Sequence, residues 1–190
     1  MSESLLIDQV LDFWFGTHDA ADYGQPKAFW FQSTPEMDKK IADTFAQAYE
    51  QAAAGELDEL TYSAEGSLTL VILLDQFPRN MFRGTPKAFA TDARGLDVAK
   101  NAIKLGFDKG MTDFKCKFLY VPFMHSESLE DQDRGIELFG KFGDNPGLEY
   151  ARAHRDIIAH FGRFPHRNVI LGRDSTAEEI EFLKEPGSSF

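Results

Sequence analysis

The sequence predicts an all-α protein, on three observations. Apolar residues recur at three- and four-residue spacing in one segment after another. Capping residues ahead of proline or acid mark the helix starts, and glycines mark the stops. No alternating apolar and polar run and no hairpin turn argues for strands.

The pattern predicts a first helix over Ser4 to Phe15, with Leu6, Val10, Phe13 and Trp14 on one side and Gly16 as its stop. A polar loop carrying His18 follows, and then Phe29-Trp30-Phe31 as an aromatic plug at one end of the core. Thr34-Pro35-Glu36 combines a capping hydroxyl, a first-turn proline and an acid, opening a second helix with Ile41, Phe45 and Tyr49 inward until Gly55. A central helix is expected from about Ala64 to Phe77, and another from Ala88 to Leu105. Thr112 or Asp113 caps Phe114 to Val121, with Pro122 interrupting. Leu129 to Phe142 and a helix opened by Asn145-Pro146 come next. Ser175-Thr176-Ala177-Glu178 reads as a capping box before a last helix. The connections are short, so one domain spanning 1–190 with antiparallel neighbours is expected.

The stretch from Leu68 to Gly84 organises the rest. It is apolar on nearly every side, as a helix in the middle of a bundle must be. Its end delivers Asp75, Gln76, Arg79, Asn80 and Arg83 towards the interior, and Pro78 is expected to stop or bend it at Phe77. Phe161 to Asn168 repeats the theme: a helix end, Phe-Pro, then Arg167-Asn168.

Length and composition set the limits of function. With 190 residues and 18 phenylalanines, the chain has ample apolar material for a core. A net charge of −11 opposes nucleic acid and anionic membrane surfaces. Cys116 is the single cysteine, so an internal disulfide and a multi-cysteine metal site are excluded. The acidic start Met1-Ser2-Glu3-Ser4 lacks the basic region of a signal peptide, and no apolar run is long enough for a bilayer. A cytoplasmic protein is the expectation.

Against the global charge, Ile157 to Arg173 contains no acid but carries His160, Arg163, His166, Arg167 and Arg173. Arg79 and Arg83 stand four residues apart, as do Arg163 and Arg167. Where such helix ends meet, guanidinium groups clamp a carboxylate or phosphate, with Asn80 and Asn168 orienting it. The competing account is a structural network in which Asp75, Glu127 and Asp131 neutralise the arginines. His125 beside Glu127 has the residue types for acid–base catalysis. His154 falls among Ala151, Ile157, Ile158 and Phe161, which puts an imidazole on an apolar face. His125, Glu127 and His154 also form a two-histidine-one-carboxylate set, the basis of a weaker metal-dependent hydrolase reading, although no metal-binding spacing accompanies them. Asp156 and His160 are spaced for a surface contact.

Several of these motifs together resemble the bacterial family known as domain of unknown function 924. They are Val10 to Gly16, Leu74 to Asn80 with Phe82 to Thr85, and Phe118 to Phe123 with His125-Ser126-Glu127 and Asp131-Gln132. Gly162 to Asn168 with Leu171-Gly172-Arg173, and Glu185 to Phe190, complete the set. Lys117 stands where an arginine is expected, and Leu60-Thr61 where a tryptophan is common. The resemblance implies an all-helical, tetratricopeptide-like stack of antiparallel hairpins, and it implies no activity or cofactor. No repeat of tetratricopeptide length is readable in the chain itself.

The expectation is therefore a small anionic metabolite bound in a concave pocket lined by Arg79, Asn80, Arg83, His154, Arg163, His166, Arg167 and Asn168. His125 and Glu127 stand by for acid–base chemistry. The alternative is a non-catalytic peptide- or protein-binding module. No cofactor and no resident metal are expected, and the sequence leaves the oligomeric state open.

Overall fold

The computed structural model describes residues 3–189, and among them all regular secondary structure is helical. Met1 and Ser2, used above for the N-terminal character, and Phe190 of the C-terminal motif lie outside the described residues. The chain divides into two compact units, Met1–Arg83 with Lys87–Pro122 and Gly84–Pro86 with Phe123–Phe190. No helix among the described residues is long and apolar enough to cross a membrane.

In the first unit, α1 (Glu3–Phe15) ends at Gly16, whose φ of 89° puts it in the left-handed region. The Thr34 hydroxyl accepts the Met37 N–H and caps α2 (Pro35–Ala54), as the sequence predicts. Trp14 is the hub of an aromatic cluster, with Phe29, Trp30, Phe77 and Phe118 around it. The Trp30 indole donates to the Trp14 carbonyl. Phe31 sits at the rim of this plug: its ring meets that of Trp30 at 6.5 Å, but it is 75% exposed.

The central helix departs from expectation in an informative way. α3 (Ala64–Val71) passes into a π-helical turn over Ile72–Gln76 and continues as α4 (Phe77–Met81). Pro78 therefore does not stop the helix. The Phe77 N–H bonds to the Ile72 carbonyl five residues back, so the backbone is already widened ahead of the proline. That widening removes the clash a proline ring makes with a regular preceding turn. From Gly66 to Asn80 every residue is buried except Arg79, which is half-buried.

The next helix also begins later than the sequence suggests. Pro86–Phe89 is a 3-10 turn and α5 spans Asp92–Lys104, because the Thr91 hydroxyl donates to the Leu74 carbonyl and fixes the entry there. α6 (Asp113–His125) runs through Pro122 to His125. The Gln132 amide donates to the carbonyls of Met124 and Ser126, satisfying acceptors at the helix end that the sequence reading left to an interruption.

The second unit holds the end of α6, then α7 (Leu129–Gly140), α8 (Pro146–Phe161) and α9 (Ala177–Phe182). Asn145 caps α8 through Leu148 N–H. α7 and α8 pack so closely that a Cβ at Gly147 would lie 2.7 Å from the Phe139 ring. Ile157, Ile158 and Phe164 form a buried cluster, extended by Phe161 and Phe182. The capping box of α9 is one residue later than predicted, on Thr176 and Glu179. Glu179 is almost fully buried and clamped by Arg163, whereas Glu178 turns outward to His160. That outward pair also replaces the Asp156–His160 contact expected from spacing: Asp156 lies 3.8 Å from Arg155 instead.

Candidate functional site

In the first unit the polar end of the central helix is held by acids. Arg79 donates to Asp92 through both terminal nitrogens, at 2.8 and 3.0 Å, and to the Asp75 carbonyl at 2.6 Å. The fully buried Asp75 carboxylate lies 3.5 Å from the same guanidinium and accepts the Gln76 amide at 2.6 Å. Burial disfavours the charged guanidinium, but Asp75 and Asp92 outweigh it and hold Arg79 above its ordinary range. Arg83 forms a second fork, to Asp38, at 2.9 and 3.2 Å, and Asn80 donates to that carboxylate at 2.8 Å. Burial works to raise the Asp38 pKa, and these donors bring it below the usual carboxylate range.

The second unit contains two polar constellations. In one, Arg163 reaches the buried Glu179 at 2.6 and 2.8 Å. Asn168 donates to Glu179 and to Ser175. The Thr176 N–H and the capping geometry complete the cage. The hydrogen bond from Arg163 is the chief reason the Glu179 carboxyl falls to about 2. This constellation fastens α9 to the end of α8.

The other constellation gathers basic groups around the buried ring of Phe164. The Arg167 guanidinium, itself buried, lies over that ring at 4.4 Å. The imidazoles of His154 and His166 approach it with centroid distances of 5.7 and 5.6 Å. His125, at the end of α6, faces His154 at 6.3 Å. Glu127 brings a carboxylate whose two oxygens receive Arg173 at 2.7 and 3.0 Å and the Phe164 N–H at 2.8 Å. Burial works against ionisation of Glu127, and these donors overcome it, so its pKa is lowered.

Burial and neighbouring positive charge act together on the imidazoles. Burial is the main cause that drives His154 down to about 3, and His125, Arg167 and His166 push the same way. Burial likewise drives His166 down to about 4, helped by Arg167, His125 and Arg173 and opposed by Glu127. Both are neutral at physiological pH. The His154 Nδ1 lies 2.8 Å from the Tyr150 carbonyl, which only accepts, so Nδ1 carries the proton.

Of the residues singled out from sequence, the fold brings His125, Glu127, His154, His166 and Arg167 together within the second unit. Arg163 and Asn168 belong to the neighbouring Glu179 cage, and Arg79, Asn80 and Arg83 to the Asp92 and Asp38 forks of the first unit. Asp131 accepts the Ser126 hydroxyl at 2.8 Å. No group of three His, Cys, Asp or Glu residues that could hold a metal ion occurs among the described residues. Sequence reasoning assigned no role to Phe164 as a platform or to Arg173 as the partner of Glu127. The acid-free run ending at Arg173 was the available signal. Cys116 is buried beneath the Asp108 carbonyl, as an incidental cysteine would be.

No curated protein matches the sequence. The solved structure of a protein of unknown function, ATU0120 from Agrobacterium tumefaciens, is similar at 38% identity and a TM-score of 0.87. The match covers 97% of this chain and 100% of that one. A family model described as a bacterial protein of unknown function, DUF924, matches residues 10–187, so the chain belongs to that family.

Proposed function

We propose that the second unit binds a small anionic ligand, a carboxylate or a phosphate, against the basic groups gathered at Phe164. Two imidazoles and a buried guanidinium around one apolar ring, with a third imidazole, His125, facing His154, are the observation that supports this reading. Such a cluster opposes its own charging, and an anion placed among its members relieves that opposition. Its presence in a chain of net charge −11 makes it a local reversal of sign. Arg167 supplies the permanent charge, and His125, His154 and His166 supply hydrogen bonds whose polarity depends on protonation. Within this reading His125, half-buried at the helix end, is the group for proton transfer if the ligand reacts. Glu127 instead steadies Arg173 and the Phe164 backbone. Arg79, Asn80, Arg83, Arg163 and Asn168 then act as framework, each already facing an internal carboxylate.

A thermal-shift series with sulfate, phosphate, citrate and phosphorylated metabolites tests the site. A ligand that binds only the native state adds about 2.7 kcal/mol at a hundredfold excess over its Kd, a readily measured rise in Tm. The rise should vanish in Arg167→Met and weaken in His125→Gln while both variants remain folded. Rises that persist in both variants would place binding elsewhere. No rise with any anion, together with reproducible binding of extended peptides, would favour a peptide-binding module.

A further inference from the structure

We infer that anion binding at the Phe164 cluster is coupled to proton uptake, with His154 and His166 passing from neutral imidazole to imidazolium as the ligand enters. This rests on the anion-binding reading and specifies how that site is regulated.

The argument starts from tautomers and neighbours. His154 already donates from Nδ1 to the Tyr150 carbonyl, so the proton it gains on charging must go to Nε2. Charged and titratable groups that act on it include His125 from α6, and His166 and Arg167 from the 3-10 turn Pro165–Arg167. Those that act on His166 include Arg167, Glu127, His125 and Arg173. Glu127 is the acid among these neighbours, and its oxygens are held by Arg173 and the Phe164 N–H.

Charging His154 is therefore opposed by His125, Arg167 and His166, and charging His166 by Arg167, His125 and Arg173 against the pull of Glu127. An anion beside Arg167 reverses that balance. An opposite charge within about 4–6 Å raises a histidine pKa by roughly 1–3 units. Starting from about 3 for His154 and about 4 for His166, that rise brings protonation into the mildly acidic range. By linkage, affinity should climb about tenfold per pH unit for each proton taken up over that window. The cluster is thus built to capture its ligand as pH falls and release it as pH rises.

Sulfate is the probe of choice, because it keeps a fixed charge across this range. Histidine C–H resonances would be followed by NMR from pH 5 to 7.5, with and without sulfate. The exposed His18 and the surface His160 serve as internal controls. The expected result is an imidazolium signature at His154 or His166 that appears only with sulfate, tighter binding at low pH, and a flattened pH dependence in His166→Gln. Sulfate binding that is independent of pH, with both rings neutral, would overturn the coupling and leave the anion site standing. Failure of sulfate, phosphate and citrate to bind anywhere in this range would overturn both.

Discussion

The Glu127 carboxylate and the Arg173 guanidinium meet in a two-bond fork, and both residues also grip the backbone of Phe164. Glu127 accepts the Phe164 N–H at 2.8 Å, while Arg173 donates to the Phe164 carbonyl at 3.1 Å. Arg173 further donates to the Asn168 side chain at 2.9 Å. The ring that the basic groups surround is therefore positioned by an ion pair whose partners lie 46 residues apart in sequence.

Glu127→Gln separates the structural role of this carboxylate from its charge. Hydrogen bonds to charged groups contribute about 1.5–3 kcal/mol, and this pair is partly exposed, so a loss near 2 kcal/mol is expected. A lower midpoint in urea unfolding is the readout. Removing negative charge from the basic cluster should at the same time strengthen sulfate binding. Unchanged stability would mean that the fork does not hold the Phe164 segment.

Arg79 and Arg83 look alike in sequence and should behave differently on mutation. Arg79→Met leaves the fully buried Asp75 without the guanidinium beside it, a change that costs about 3–5 kcal/mol. Arg83 is 59% exposed at its side chain, and Arg83→Met should cost about 1 kcal/mol or less. Chemical denaturation of the two variants side by side checks the contrast, and equal losses would contradict it.

That contrast marks how far the sequence could be read. Helical spacing and capping residues announced the helices, and Thr34, Asn145 and the glycine stops behave as written. Within the basic cluster His125 and His154 stood out singly, one beside Glu127 and the other on an apolar face, and His166 and Arg167 were legible as types, because a run without acids is visible in one dimension. Their partners were not. Asp38 sits in the first turn of α2, where an acid already has a local explanation in the helix dipole, and nothing marks it as the acceptor for Arg83, 45 residues away. The π turn over Ile72–Gln76 was hidden as well, since it depends on how a buried helix absorbs Pro78 rather than on any residue preference.

Acid should destabilise the protein in two stages. His154 and His166 have native pKa values of about 3 and 4, below the unfolded value near 6.5. The unfolded chain therefore binds more protons in that interval, and stability falls as pH drops below about 6.5. Glu179, at about 2 in the native state, adds stability above its unfolded pKa that is lost as pH falls from about 4.5 towards 2. Urea midpoints measured from pH 7.5 to 4 should decline, and His154→Gln should flatten the upper part of that decline. Saturating sulfate should flatten it too, through protonation of the native state.

Gly66 provides a test of the packing that carries the central helix. Alanine is the better helix former, by about 1 kcal/mol in a helix interior, so propensity alone predicts that Gly66→Ala stabilises α3. The structure predicts the reverse. A Cβ at Gly66 would lie 2.3 Å from the Leu60 carbonyl oxygen and 2.7 Å from the Ser63 hydroxyl. The first is backbone within the 3-10 turn Asp58–Tyr62, and the second is the cap that accepts the Gly66 N–H at 3.1 Å. Neither can retreat without disturbing the entry to the buried helix, and overpacking of this kind costs about 1–3 kcal/mol. Gly140, at the end of α7, has nothing within 4 Å of the same hypothetical atom. Gly140→Ala should accordingly leave stability unchanged or raise it by up to about 1 kcal/mol, while Gly66→Ala lowers the urea midpoint. If the two substitutions shift the midpoint equally, the Leu60–Gly66 approach does not constrain the helix start.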